Sequence, residues 1–273
     1  MIDLAPGHKQ GMLVANPVLL AAGAAGCGEA HWPDLELRAL GALVAGPVTL
    51  QNRAGAPMPR LVESPAGMVL ETGSQNRGLH ATLRTFAPLW ARMGVPVVVQ
   101  LADMRPDALA RCALRLSNVP GVVALEWRVA QNASTTAISQ GVEAIAHAGD
   151  LPLWVKLPTE DACERAAAAT TAGANALVIG STPMGAALMA DAAPWLLQGS
   201  AYGPALFPLI LHALAQVAAL SLPVALIASG NIYTVAQARA ALAAGAHALQ
   251  LDAVAWLEPT FPGMLAAALK AQA

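Results

Sequence analysis

The chain has 273 residues, of which 56% are hydrophobic and only 12% charged. A net charge of −2 leaves no basic footprint for nucleic acid or an anionic membrane surface. Cys27, Cys112 and Cys163 form an odd set without metal-ligand spacing, which argues against a disulfide framework and fits a reducing cytoplasm.

So apolar and Ala-rich a composition fills a large core and leaves an apolar surface, which favours a homo-oligomer or a place in a larger complex. The opening MIDLAPGHKQGM has no apolar signal core, and no stretch has the length of a membrane helix. Residues 2–16 read as an opening hairpin. Pro17–Ala22 is a buried strand running into the glycine-rich AAGAAGCG of Ala21–Gly28. Asp34–Leu40 reads as a short helix and Gly41–Leu50 as a second strand. A long loop or hairpin region over 51–78 is a candidate for function, because long loops in compact domains usually carry one.

Leu79–Met93 then places Phe86, Leu89, Trp90 and Met93 at helical spacing. Further strands fall at Val95–Leu101, Val122–Trp127, Leu153–Leu157 and Ala174–Gly180, with helices over Pro106–Leu116, Thr135–His147 and Glu160–Thr171. A loop over 181–203 leads to a helix at Pro204–Ala219. Leu222–Ala253 supplies strand, loop, helix and strand: Ser229-Gly230-Asn231 turns the backbone, Thr234 caps the helix, Gly245 ends it, and Asp252 stands at the end of the last strand. Pro259–Ala271 closes the chain as a helix. The expectation is one domain over 1–273, a (β/α)8 TIM barrel with an N-terminal β-hairpin. An open doubly wound sheet is the competing arrangement, but no early strand carries a dinucleotide glycine fingerprint.

The motifs, taken in order, resemble those of the dihydroorotate dehydrogenase family. Asn16-Pro17 followed by AAGAAGCG is similar to the family's NPV…ASGTFGYG. Pro59-Arg60 through Glu63-Ser64-Pro65-Ala66-Gly67-Met68 resembles PR-x-x-E-T-P-A-G-M, and Gly73, Gln75-Asn76 and Gly78 resemble the G-L-Q-N-P-G beyond it. Trp154–Leu157 resembles the VKLSP strand, Gly199…Gly203-Pro204 resembles G-G-L-S-G-P, and Leu222–Ala253 resembles the last two strands. Most of these are similar to the branch of soluble cytosolic dimers, some with an iron–sulfur partner subunit. The resemblance implies flavin mononucleotide (FMN), a Cys or Ser base, and asparagines and lysines around the substrate and flavin.

By resemblance, Ala22, Gly23, Lys156, Ser200, Gly203, Ser229 and Gly230 are the cofactor positions, with Lys156 beside the flavin ring. Arg128, Asn132 and Ser181 are the substrate positions, and Lys156 and Arg128 the catalytic candidates. The chain departs from the pattern elsewhere. Gly46 stands where the family has a second lysine. The E-L-N-x-S-C-P-N run becomes Glu126-Trp127-Arg128-Val129-Ala130-Gln131-Asn132, so Ala and Gln replace the base, and neither takes a proton at neutral pH. Leu70 and Ser181 replace substrate asparagines, and each lost hydrogen bond to a buried polar group costs about 1–3 kcal/mol.

Tyr202 replaces a small residue and is expected to fill flavin space. Asp252-Ala253 replaces the Gly-Thr of the phosphate site. An ionised Asp252 about 4 Å from a phosphate would be repelled by about 1 kcal/mol in water and several when partly buried, or would occupy the N–H groups itself. Gly46, Tyr202 and Asp252 therefore argue against FMN occupancy. Arg128 suits a carboxylate or pairs internally with Glu126 or Glu71. Ser134, Thr135 and Thr136 start the next helix. The cysteines are expected to be core thiols, and His80, His147, His212 and His247 have no metal spacing.

Three functional expectations follow. The first is a divergent family member without standard dihydroorotate oxidation, binding another small molecule or partnering an active relative. The second is an FMN-dependent oxidoreductase with altered substrate. The third is a barrel using Arg128, Glu126 and Lys156 for carbonyl chemistry.

Overall fold

The computed structural model describes residues 1–30, 32, 34–189 and 196–271. β1 (Ile2–Asp3) and β2 (Leu13–Val14) pair antiparallel as the opening hairpin. β3 (Val18–Leu20) and β4 (Ala42–Val48) follow; between them the expected helix at Asp34–Leu40 contracts to a 3-10 turn over Leu37–Ala39. The 51–78 region carries a hairpin, β5 (Leu61–Ser64) and β6 (Gly67–Leu70).

Helices and strands then alternate through α1 (Leu79–Trp90), β7 (Val97–Leu101), α2 (Pro106–Leu116), β8 (Val122–Arg128), α3 (Thr135–Ala148), β9 (Leu153–Pro158), α4 (Ala162–Thr171) and β10 (Ala176–Ser181). Next come β11 (Met184–Leu188) and β12 (Leu196–Tyr202). The expected loop over 181–203 is thus a hairpin, with 190–195 outside the described residues. Its strands join β6 and β5 in a four-stranded antiparallel sheet beside the barrel.

A 3-10 turn at Pro204–Leu206 takes the front of the helix expected there, leaving α5 (Phe207–Ala219). β13 (Ala225–Ser229), α6 (Val235–Ala243) and β14 (Ala248–Leu251) come next, followed by α7 (Val254–Leu257), a short helix that the sequence reading missed, and α8 (Phe261–Lys270).

The parallel strands β3, β4, β7, β8, β9, β10, β13 and β14 pair in chain order and close on themselves. This is the (β/α)8 barrel. Parallel strands need crossovers, and the covering helices bury the outer faces, so these strands read as unbroken apolar runs. Alternate side chains separate two apolar cores. Outward residues such as Val97, Leu125, Leu157 and Leu249 pack under the helices. Trp127 also points outward and lies against α3. A Cβ on Gly141 would come within 2.2 Å of the indole, so only glycine fits there.

Inward residues form the second core, including Leu19, Val44, Val98, Ala124, Trp154, Val178, Ile227 and Ala248. The opening hairpin plugs its lower end with Leu4, Met12 and Val14, and Trp154 Nε1–H donates to the Leu4 carbonyl at 3.1 Å. Because side chains alternate with a period of two, residues two positions further on face inward one layer higher. That layer is polar: Gln100, Glu126, Lys156, Ser229 and Gln250 lie above Val98, Ala124, Trp154, Ile227 and Ala248. It forms the floor of the barrel mouth.

Candidate functional site

Glu126 is the hub of the polar floor and is wholly buried. Gln100 Nε2–H donates to Glu126 Oε1 at 2.7 Å, and Gln250 Nε2–H donates to its other oxygen. The Gln250 amide oxygen in turn accepts from Lys156 Nζ at 3.1 Å and Ser229 Oγ at 3.0 Å. Buried polar groups are costly unless partnered, and this chain of bonds satisfies them around the barrel. Among the described residues neither Glu126 nor Glu71 pairs with Arg128 within 4.0 Å, contrary to the internal pairings expected from sequence. Arg128 instead donates to Ser74 Oγ, on the loop before α1.

Above the floor lies a cavity of about 260 Å³, lined among others by Lys156, Arg128, Gln131, Thr182, Tyr202 and Asp252. This is the carboxyl end of the strands, where barrel enzymes place their working residues. Lys156 is 7% exposed, and burial pulls its pKa below the ordinary lysine value against the opposing pull of Glu126 and Asp252. Arg128 and Lys156 are register partners on β8 and β9, which places their backbones about 5 Å apart. Burial lowers the pKa of Arg128 as well, though a guanidinium stays charged.

The β13–β14 side of the mouth is built differently. Gly230 has φ +85°, and a Cβ there would lie 2.7 Å from Asp252 Oδ2, so the Asp252 carboxyl fills the space that glycine opens. Asn231 N–H donates to Asp252 Oδ1 at 3.2 Å, and the N–H groups of Asp252 and Ala253 also support this carboxyl. Burial raises its pKa more than Lys156 and these N–H groups lower it. Of the two effects on an anion expected from sequence, occupancy of the donors is thus favoured over charge repulsion.

Asn231, whose side chain the sequence reading overlooked, is buried too. Its Oδ1 accepts the Gly203 N–H at 2.9 Å, tying the end of β12 to the loop after β13, while its Nδ2 has no partner among the described residues. Tyr202 stands between the two sides. Its ring packs on Trp256 at 6.0 Å between centroids, and burial raises its pKa, with Thr182 and Ser200 near its hydroxyl opposing the rise.

The other sequence candidates divide. Ala22 and Ser200 line the cavity. Ser229 belongs to the floor, and Gly203 and Gly230 are buried behind the lining. Gly23 is exposed, and Asn132 lies exposed in the loop before α3, away from the cavity. Ser181 ends β10; its side chain is outside the described residues. Gly46 borders a separate cavity of about 380 Å³ with Arg53 and Arg77.

Ser134 caps α3 by accepting the Ala137 N–H at 3.2 Å, as expected. Burial pushes the Cys27 and Cys112 thiols up to about 12, which keeps them inert. Among the described residues no group of three or more His, Cys, Asp or Glu is placed to hold a metal ion, and no helix is long and apolar enough to cross a membrane.

The model of the dihydroorotate dehydrogenase family matches residues 9–268. The chain belongs to that family. It is 37% identical to the dihydroorotate dehydrogenase B (NAD(+)) catalytic subunit of Desulforudis audaxviator, over 95% of this chain and 89% of the relative. It is 35% identical to the subunit of the same name from Solidesulfovibrio magneticus, over 91% of this chain and 86% of the relative. In fold it matches the DHODH of Eimeria tenella, solved in complex with ferulenol, with a TM-score of 0.75 at 16% identity, covering 93% of this chain and 80% of that one.

Proposed function

We propose that this chain is a divergent dihydroorotate-dehydrogenase-like barrel that does not carry out standard dihydroorotate oxidation and does not hold FMN. The observation that carries this reading is the Asp252 carboxyl, which takes the Asn231 N–H and fills the space over Gly230 where the family's phosphate would sit. Tyr202 lines the same cavity in place of a small residue, and Gly46 offers no ammonium. The residues therefore do not fit the flavin. Ala130 and Gln131 at the base position, and Leu70 at an asparagine position, argue in the same direction.

The cavity, at about 260 Å³, lies just under the ~300 Å³ where sites for drug-sized ligands begin, and suits a smaller molecule. The outer sheet exposes Leu61, Met184, Leu188 and Leu196, which supports association with another copy or a second subunit. The relatives' designation as catalytic subunits agrees with a multi-subunit setting.

A second reading, an FMN-dependent oxidoreductase with altered substrate, is favoured by one observation: Lys156 still lines the mouth. Absorbance of the purified protein, followed by titration with FMN, separates the two. A colourless protein that leaves FMN fluorescence unchanged is expected. Flavin bands, or saturable quenching at micromolar FMN, would establish the second reading.

A further inference from the structure

Lys156 is a buried amine with little to do in the fold. Its Nζ has a single hydrogen-bond acceptor, the neutral Gln250 amide oxygen, and among the described residues no carboxylate lies within 4.0 Å of it. A structural lysine at this depth is normally ion-paired. This one instead faces the enclosed cavity, with Arg128 beside it in register on the next strand. Arg128 commits one nitrogen to Ser74 Oγ and keeps its other N–H donors for the cavity. The Tyr202 hydroxyl and the Asp252 carboxyl line the same space and can carry a proton.

A guanidinium recognises a planar carboxylate through paired N–H groups, and a desolvated amine attacks carbonyl carbon. A 2-oxo acid presents those two groups on adjacent carbons, which matches two cationic side chains on adjacent strands. We infer that the barrel mouth binds small 2-oxo acids, Arg128 holding the carboxylate while Lys156 forms a reversible imine with the adjacent carbonyl. This rests on the reading that flavin does not occupy the mouth.

In the first step the Nζ lone pair forms a C–N bond to the carbonyl carbon, and one amine hydrogen passes to the carbonyl oxygen. In the second step the C–O bond breaks and C=N forms. Both amine hydrogens leave with that oxygen as one water, and nothing is oxidised or reduced. Burial shifts Lys156 towards the neutral amine, the nucleophilic form.

The chain has only three lysines, which makes the test clean. After its absorbance spectrum is recorded, the full-length protein is incubated with pyruvate and borohydride, and the products are read by intact mass and peptide mapping. The expected product is a single adduct heavier by one pyruvic acid less one oxygen atom, on Lys156. The exposed Lys9 and Lys270 should stay at background. Lys156→Arg, which keeps the charge but cannot condense, should abolish the adduct with unchanged circular dichroism.

Arg128→Met should lower trapping of limiting pyruvate about tenfold, with trapping of acetaldehyde, which has no carboxylate, changed less than about twofold. A colourless protein with no adduct on Lys156, or with adducts spread equally over all the amines, would overturn the inference alone. Equal effects of Arg128→Met on both carbonyl compounds would overturn the role of Arg128. Flavin bands in the first spectrum would instead overturn the reading on which the inference rests.

Discussion

At the ends of β13 and β14 the chain satisfies its own N–H groups with the Asp252 carboxyl, whereas at the ends of β8 and β9 it leaves two basic side chains facing the cavity. Both sides stand on one polar floor and share one family ancestry. The difference teaches that a barrel mouth need not diverge as a unit. Each strand end contributes its own side chain, so a single substitution such as Asp252 closes one subsite without moving the backbone that carries its neighbour. The scaffold that fixes Lys156 and Arg128 is the strand register, which a change at the end of β14 does not touch.

The largest expected effect concerns the floor that both sides share. Glu126→Ala would strip the acceptors from the Gln100 and Gln250 amides, both buried. Each buried donor left unsatisfied costs about 1–3 kcal/mol, so a loss of roughly 2–6 kcal/mol is expected from the urea midpoint at unchanged slope. Glu126→Gln keeps the shape and one acceptor oxygen and should lose less. A loss under about 1 kcal/mol for Glu126→Ala would mean that the two sides do not depend on a common floor.

The next effect tests the closed side directly. Asp252→Gly with Ala253→Thr frees the Asn231 N–H for a phosphate and adds a hydroxyl. Charge-assisted hydrogen bonds of this kind are worth about 1.5–3 kcal/mol each, so FMN should bind on the order of tenfold to a hundredfold tighter. Riboflavin, which has no phosphate, should gain nothing from this pair of changes. Tyr202→Ser, acting on ring space, should improve both flavins alike. Fluorescence quenching with each flavin separates the contributions. If all three changes together left FMN binding undetectable, closure at Asp252 and Tyr202 would not explain the loss.

The barrel was legible because its signals are local and repeated. Apolar runs of strand length alternate with helices whose starts are marked, by a first-turn proline at Pro106 and by a cap at Thr234, which accepts the Gln237 N–H at 3.1 Å. The hairpin of β11 and β12 was not, because MGAAL and LLQGSAY are small or polar segments lying on an outer sheet, with the even exposed-to-half-buried alternation of β11 hidden by its alanines. The polar floor was missed for another reason. A lone Gln or Glu inside an apolar run reads as noise. The signal was the repetition: Gln100-Leu101, Glu126-Trp127, Lys156-Leu157 and Gln250-Leu251 each put one polar residue before a large apolar one near a strand end. Aligned by strand, they mark one height in the barrel. Lys156 was singled out together with Arg128 and Glu126, but without Gln100 and Gln250, the amides that surround Glu126 and, through Gln250, link it to Lys156. Asp252 was singled out with both repulsion and occupancy of the N–H groups in view, and the burial that favours occupancy needed three dimensions.

That burial makes the smallest of the expected effects the sharpest on mechanism. The folded-state pKa of Asp252 lies above the ordinary carboxylate value, chiefly through desolvation. Above about pH 4, where the unfolded chain ionises, the folded chain therefore holds the extra proton. Stability changes with pH as protons bound unfolded minus protons bound folded, so this group makes wild-type stability fall as pH rises, levelling off once Asp252 ionises in the fold. Asp252→Asn keeps an acceptor for the Asn231 N–H and removes the titration. The variant should thus gain on the wild type from about pH 4 upward, measured as paired urea midpoints. A wild type that instead gains on the variant as pH rises towards about 4, and stays level with it above that, would mean that attraction to Lys156 outweighs desolvation. Asp252 would then bind its neighbour as a charged pair, and the closed and open sides of the mouth would be one electrostatic unit rather than two.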